Sequence, residues 1–349
     1  MGSRTTIRDV AERAGVSNAT VSNVINEKGK VSESTRKEVL DAIDALNYRP
    51  NASAQRKLQS SGPKSIGLVV KEMHNPYFAD VVISAQEAAN EQGYSIMLSS
   101  SEGKRDTEGR AVELFVEKDV DGIVINPLLD HNADLTHLFD LKRRNIPFVL
   151  LEQVRGLQSN IVDVDNVKAA RELTTYLIEL GHEDLVHFTG PEYSMHAEER
   201  VEGFRRAFFD SELVYSEDFV VRAGARLEEG YEAGLNYFRD RPPEEYPTAV
   251  TCYNDLVAIG LLRALRELGV DVPGEVSVTG FDDIKTCEYA PVPLTTMGVP
   301  TAEMGRVAVE MVIRQIEAGG QHEPETVNLQ AELTVRDSTA PVEEVATIK

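Results

Sequence analysis

Apolar positions recur three or four apart as far as Leu46 and then, from Lys64 onward, gather into short unbroken runs, so two architectures share this chain of 349 residues. Ile7, Val10, Ala11 and Ala14 form one helical stripe, opened by Thr6 and Asp9 at capping-box spacing and broken by Gly15. Val21, Val24 and Ile25 form a second stripe behind Ser17 as N-cap. Val39, Leu40, Ile43 and Leu46 form a third, behind Ser32. Helix, tight turn and helix within about twenty residues, closed by a third helix, predict a helix-turn-helix unit.

The outer face left on the second helix is polar and short-armed: Ser17, Asn18, Ala19, Ser22 and Asn23. Small donors and acceptors let a helix approach base edges, whereas long charged side chains reach phosphates. The same three helices could pack without any role on DNA, and charge separates the two readings. Residues 1–63 carry ten Arg and Lys against seven Asp and Glu, a balance of +3, while the whole chain is formally −22 and the remainder therefore −25. A basic island in so acidic a chain is what a segment meeting phosphates requires.

From Lys64 apolar runs at Ile66–Val70, Ser95–Leu98, Gly122–Ile125 and Pro147–Leu151 alternate with amphipathic segments long enough for helices. A second set follows at Leu185–Phe188, Phe219–Val221, Ala249–Cys252 and Val276–Thr279. Alternating strand and helix predicts two doubly wound parallel sheets, hence an α/β protein with two lobes. Ligands of such sheets bind beyond the carboxyl ends of the strands. There the sequence places His74, Asn75, Tyr77, Phe78, Ser99 to Ser101, Asn126 and Glu152 in the first lobe. In the second it places Thr189 to Pro191, Tyr253, Asn254, Asp255, Asp282 and Asp283. Carboxylates and amides with Tyr77, Phe78 or Tyr253 to stack suit a hydroxyl-rich or heterocyclic small molecule.

Thr6-Ile7-Arg8-Asp9-Val10-Ala11, Ala14-Gly15-Val16-Ser17, Thr20-Val21-Ser22, Val24-Ile25-Asn26 and Tyr48-Arg49-Pro50-Asn51 together resemble the opening of the lactose/galactose-repressor family of bacterial transcriptional regulators, and the resemblance runs along nearly the whole chain. It implies an N-terminal helix-turn-helix domain over 1–49, a hinge helix or linker over 50–63 and a periplasmic-binding-protein-like effector domain over 64–341, with 342–349 as a tail. The first lobe would take about 64–163 and 292–326, the second about 164–291 and 327–341, with crossings near Asp163, Pro291 and Val327. Thr334 to Thr339 resembles the family's closing strand. By position the resemblance makes Asn18, Ala19 and Asn23 base readers and turns Ser17, Thr20 and Ser22 mainly to phosphates. Thr6, Asn26, Tyr48, Asn51 and Ala54 complete the expected contacts to operator DNA. Leu58 is the expected minor-groove wedge. Its spacing from Pro50-Asn51 is one residue longer than the family's, an offset of about 100° on a helix.

For the effector, the resemblance points to Arg200 in Glu199-Arg200-Val201-Glu202-Gly203-Phe204, to Asp282 in Gly280-Phe281-Asp282-Asp283, and to Asn254. Glu152 stands where relatives often carry Asp. A guanidinium fork holds a carboxylate or paired ring hydroxyls with two parallel bonds. The implied protein is a homodimer on double-stranded DNA, controlled by a small molecule, by default a sugar, with a nucleobase or a protein corepressor as the rival. No cofactor or metal is expected.

Other classes fit less well. No nucleophile elbow, Walker loop or metalloprotease motif stands at a strand-helix junction, which argues against an enzyme. A solute-binding protein for transport would share the two lobes, but residues 1–58 and the lack of a secretory segment argue for a cytoplasmic regulator. No apolar run reaches membrane-spanning length. The two cysteines, Cys252 and Cys287, and the seven histidines show no metal spacing. The acidic excess fits either concentrated salt or ordinary bacterial acidity.

Overall fold

The structure, a computed structural model, describes residues 6–25, 31–46, 48, 64–129, 134–319 and 323–342. It opens on three helices, α1 (Ile7–Ala14), α2 (Asn18–Ile25) and α3 (Glu33–Ala45). The Thr6 N–H donates to the Asp9 carboxylate at 2.7 Å, which satisfies a backbone donor that the helix start leaves open. Gly15 ends α1 at φ 67°, in the left-handed region that a side chain disfavours. Ser17 Oγ accepts the Thr20 N–H at 3.1 Å, and Ser32 Oγ accepts that of Thr35 at 3.2 Å, so both expected caps are formed. Val10, Ala11, Val21, Val24, Ile25, Val39, Ala42 and Ile43 close a small core. The three inner stripes are consumed there, and the polar face of α2 is left outside.

From Ser65 the chain builds two six-stranded sheets. The first contains β1 (Ser65–Val70), β2 (Ser95–Ser100), β3 (Gly122–Ile125), β4 (Phe148–Leu150), β5 (Asn160–Val164) and β11 (Thr326–Leu329), in the order β11-β5-β4-β3-β1-β2. Around it lie α4 (Pro76–Glu91), α5 (Arg105–Glu117), α6 (Thr136–Arg143) and α11 (Thr301–Glu317). The second contains β6 (Leu185–Thr189), β7 (Val220–Arg222), β8 (Ala249–Cys252), β9 (Ser277–Asp282), β10 (Thr295–Gly298) and β12 (Glu332–Thr334), in the order β12-β10-β9-β8-β6-β7. It is flanked by α7 (Asn166–Glu179), α8 (Met195–Asp210), α9 (Leu227–Phe238) and α10 (Asp255–Leu268). All pairings are parallel except β10 with β12. Helices cover both faces of a parallel sheet, which is why its strands read as unbroken apolar runs.

All eight expected strands are present, with ends shifted by up to three residues. Two of the expected crossings move. Thr295–Gly298 pairs parallel with Thr279–Asp282, so residues from 292 to Gly298 belong to the second lobe and the chain returns after Gly298, not near Pro291. Thr326–Leu329 pairs with β5, which holds the chain in the first lobe past Val327 and puts the last crossing at Gln330-Ala331. The closing strand is likewise earlier than expected: β12 ends at Thr334. The stretch after it is held through Ser338, whose Oγ donates to Val278 O at 2.6 Å.

Packing of the helices bears on the site. A Cβ on Gly260 of α10 would collide with Leu227 O of α9, and one on Gly230 with Val257 O, so these two helix backbones lie almost in contact. That approach fixes the N-termini of both helices, with Arg226 and Asn254 as N-cap residues, at the carboxyl edge of the second sheet. No described helix is long and apolar enough to cross a membrane.

Candidate functional site

The carboxyl ends of the two sheets face each other across a cleft. From the first lobe come Lys71 and Glu72 after β1, Tyr77 and Phe78 at the start of α4, and Asn126 after β3. Asn75 N-caps α4, accepting the Tyr77 N–H at 3.0 Å, with Pro76 in the first turn, and so turns both rings inward. From the second lobe come Tyr193 and Ser194 after β6, His196 and Arg200 on α8, Tyr253 and Asn254 after β8, and Asp282 at the end of β9. The space between them, open mouth included, is ≈ 550 Å³.

Arg200 is buried and held on several sides. Its Nε donates to Asn166 Oδ1 at 3.1 Å, and one Nη donates to the Tyr253 carbonyl. Its guanidinium carbon lies 3.6 Å from the Phe281 ring centre and 4.9 Å from that of Tyr253, so the fork is stacked as well as bonded. The other Nη is 3.7 Å from Asp282 Oδ1. Asp282 itself takes φ 117°, a backbone region costly for any residue with a Cβ. Burial pushes its carboxyl up to about 8, against the downward pull of Arg200. The pair therefore combines fixed donors with a carboxyl group poised between its two protonation states.

Among the described residues the lobes are tied to each other by polar contacts. Glu72 Oε1 accepts from the Tyr193 hydroxyl and from Arg226, each at 3.3 Å. The Leu129 N–H donates to Tyr193 O at 3.1 Å. His196 Nε2 lies 3.3 Å from Asp163 Oδ1 and 3.9 Å from Glu152 Oε1, contacts of charge rather than aligned hydrogen bonds.

Each expected effector residue can now be placed. Tyr77, Phe78, Asn126, Arg200, Tyr253, Asn254 and Asp282 line the cleft. Glu152 reaches the same place but stands behind the cleft wall, in a buried ion pair with Lys71. Asn126 Oδ1 and Glu152 Oε1 are buried without a hydrogen-bond partner among the described residues. Asn254 is engaged structurally at both ends, its Oδ1 capping α10 at Val257 N and its Nδ2 donating to Ala225 O, each at 2.9 Å. Tyr77 sends its hydroxyl to Met304 Sδ at 3.3 Å within its own lobe, leaving its ring as the part offered to the cleft. Asp255, at the end of the same loop, is consumed by Ile284 N and Thr296 Oγ1. His74 points away, its side chain 85% exposed.

Lys71, Glu72, Asp163, Tyr193 and His196 were not singled out from the sequence. Two signals were available: Lys71-Glu72 directly follows the first apolar run, and His196 stands one helical turn before Arg200, on the same face of α8.

On the head, Ser17, Asn18, Ala19 and Asn23 are exposed, and Thr20 and Ser22 half-buried. Ser17 and Thr20 also bond each other, Oγ to Oγ1 at 2.9 Å. Thr6 is exposed at the start of α1, and Tyr48 packs against the head core. Asn26, Asn51, Ala54, Leu58 and the hinge lie outside the described residues. Cys252 and Cys287 are free and buried, and no group able to hold a metal ion occurs among the described residues.

Comparison with known proteins adds a family to this geometry. Residues 6–51 match the family described as bacterial regulatory proteins, lacI family, and residues 174–339 match a periplasmic binding protein-like domain. The chain is 34% identical over 336 residues to the HTH-type transcriptional repressor PurR of Vibrio parahaemolyticus, covering 95% of this chain and 98% of that protein. It is 33% identical to the PurR repressor of Haemophilus influenzae, over 97% and 99%. Among solved structures it is similar to the transcriptional regulator CelR in complex with cellobiose, at 30% identity and a TM-score of 0.69, covering 96% of this chain and 100% of that one. It is also similar to the lac repressor dimer bound to operator and the anti-inducer ONPF, at 26% identity and a TM-score of 0.71, over 96% and 99%.

Proposed function

The chain belongs to the lacI family of bacterial regulatory proteins and is a DNA-binding transcriptional repressor, and from that premise we propose that it acts as a cytoplasmic homodimer whose operator affinity is set by a sugar-like effector held between the two lobes. The cleft carries this reading: Asn126 lines it with its Oδ1 buried and without a hydrogen-bond partner among the described residues, in a site that also presents the Arg200–Asp282 pair. Buried acceptors are ordinarily satisfied, and a hydroxyl-rich ring supplies a donor to Asn126 while accepting from the guanidinium. A nucleobase is the second reading, favoured by the aromatic side chains Tyr77, Phe78 and Tyr253 that line the same cleft.

On DNA, Asn18, Ala19 and Asn23 read base edges. Ser17, Thr20 and Ser22 position the helix on the backbone, Thr6, Asn26, Tyr48, Asn51 and Ala54 add further contacts to the operator, and Leu58 of the hinge enters the minor groove. Ligand-driven closure changes the separation of the paired hinges and so the fit to a two-fold operator. Exchange of Asn18 or Asn23 is expected to change which bases are preferred when the protein selects from random duplexes, by about 1–3 kcal/mol at one position of each half-site. Weakening that is uniform over all sequences would remove those residues from base reading.

A further inference from the structure

We propose that His196 makes closure of the cleft proton-dependent: the protonated imidazole on α8 bridges Glu152 and Asp163 of the opposite lobe, and loss of its proton leaves those buried carboxylates facing a neutral ring. This rests on the reading that the two lobes open and close about an effector. Of the contacts that tie the lobes together, the Glu72 contacts to Tyr193 and Arg226 involve partners that keep their protons well above neutrality, and the Leu129 contact is backbone to backbone. His196 alone among these partners has a side chain whose charge changes near pH 7.

The groups around the ring settle the sign. Glu152 and Asp163 face it at the ends of β4 and β5, Lys71 stands behind Glu152 at the end of β1, Glu199 and Arg200 lie on its own helix, and Asp282 approaches from β9. Burial lowers the affinity of the ring for a proton and Lys71 works in the same direction, but Glu152 and Asp163 outweigh them, so the ring holds its proton above the ordinary imidazole value. Lys71 already neutralises Glu152, which leaves Asp163 as the carboxylate that needs the imidazolium most. In an open cleft the ring regains water and an ordinary value of about 6.5. A group whose pKa is raised in the closed form favours that form fully below about pH 6.5, and the preference fades as pH rises through the raised value. Asp282 and Glu199, whose carboxyls burial also pushes up, add protons in the same sense, so the share of His196 has to be isolated by substitution.

The test uses the full chain without ligand or DNA. Fluorophores are placed at Lys104→Cys and Glu228→Cys, exposed positions in the first and second lobe, while Cys252 and Cys287 are buried. Single-molecule energy transfer then gives the closed-to-open ratio from pH 5.5 to 8.5, chosen as roughly two units to either side of neutrality. The expected result is that the ratio falls with pH more steeply with His196 present than in His196→Gln, the difference approaching but not exceeding about tenfold per pH unit, the limit for one proton. His196→Lys, which keeps a charge throughout, is expected to stay closed at the alkaline end. Equal slopes for the unsubstituted protein and His196→Gln would overturn the proposal alone. A single distance at every pH in both proteins would overturn the moving-lobe reading, and the proposal with it.

Discussion

Val21→Asp is expected to abolish operator binding while the two-lobed domain stays folded. Val21 has no exposed surface and sits in the head core between α1 and α3. A carboxylate there has no cation within the core to pair with, and burying an unpaired charge costs several kcal/mol. A three-helix unit with so few buried residues has about that much stability in total, so the substitution unfolds the head. Loss of the head removes the rigid presentation of Asn18, Ala19 and Asn23 on which the proposed base reading depends. Fluorescence anisotropy with a selected duplex reports the loss, and the thermal unfolding of the remaining domain is expected to be unchanged. Binding within about tenfold of the unsubstituted protein, only ~1.4 kcal/mol, would mean that the inner face of α2 does not hold the reading surface in place.

Arg200→Ala is expected to lower effector affinity by about a hundredfold or more, ~3 kcal/mol, with ligand-free operator binding unchanged. Three consequences of the truncation add up. The cleft loses its fixed fork. Asn166 Oδ1 and the Tyr253 carbonyl lose their donor, and the stacking over Phe281 disappears. Asp282 also loses the nearby positive charge that pulls its carboxyl down against the effect of burial. Arg200→Lys retains the charge without the planar fork and is expected to recover little of the binding. Calorimetry with whichever sugar or nucleobase raises the melting temperature of the unsubstituted protein measures the loss. Undiminished affinity in Arg200→Ala would remove the guanidinium from recognition.

How far the sequence was legible follows from what each segment buries. Val10, Val21, Val24, Val39 and Ile43 each spend their apolar side inward at helical spacing, so the head could be read residue by residue, its Ser17 and Ser32 caps included. Six of the eight strands with apolar runs are buried because a parallel sheet is covered on both faces, while the edge strands β2 and β7 kept their runs although no residue of theirs is buried. The strands without such runs were not readable. Thr295-Thr296-Met297-Gly298 is buried through its threonines, which bond Asp255, Arg336 O and Thr339, and no periodicity marks that kind of burial. Its parallel pairing with β9 is what carries the chain past Pro291, where the resemblance put the crossing, to beyond Gly298. In the cleft, residues just beyond the strand ends could be listed from sequence, but the pairing across the gap could not. Glu152 with Lys71, and His196 with Asp163, join segments far apart in the chain, and a charged residue beside a strand end looks the same whether it faces a ligand or another side chain.

In the proposed mechanism the base-reading head answers to the occupancy of the cleft. This mechanism is tested most directly by titrating the full-length protein against its own selected duplex and against random duplex, with and without a small molecule that stabilises the two-lobed domain. A clear preference for the selected duplex is expected, with a change in its affinity of about 5- to 150-fold when the ligand is present. Equal affinity for selected and random duplex, or an operator affinity indifferent to saturating ligand, would contradict it.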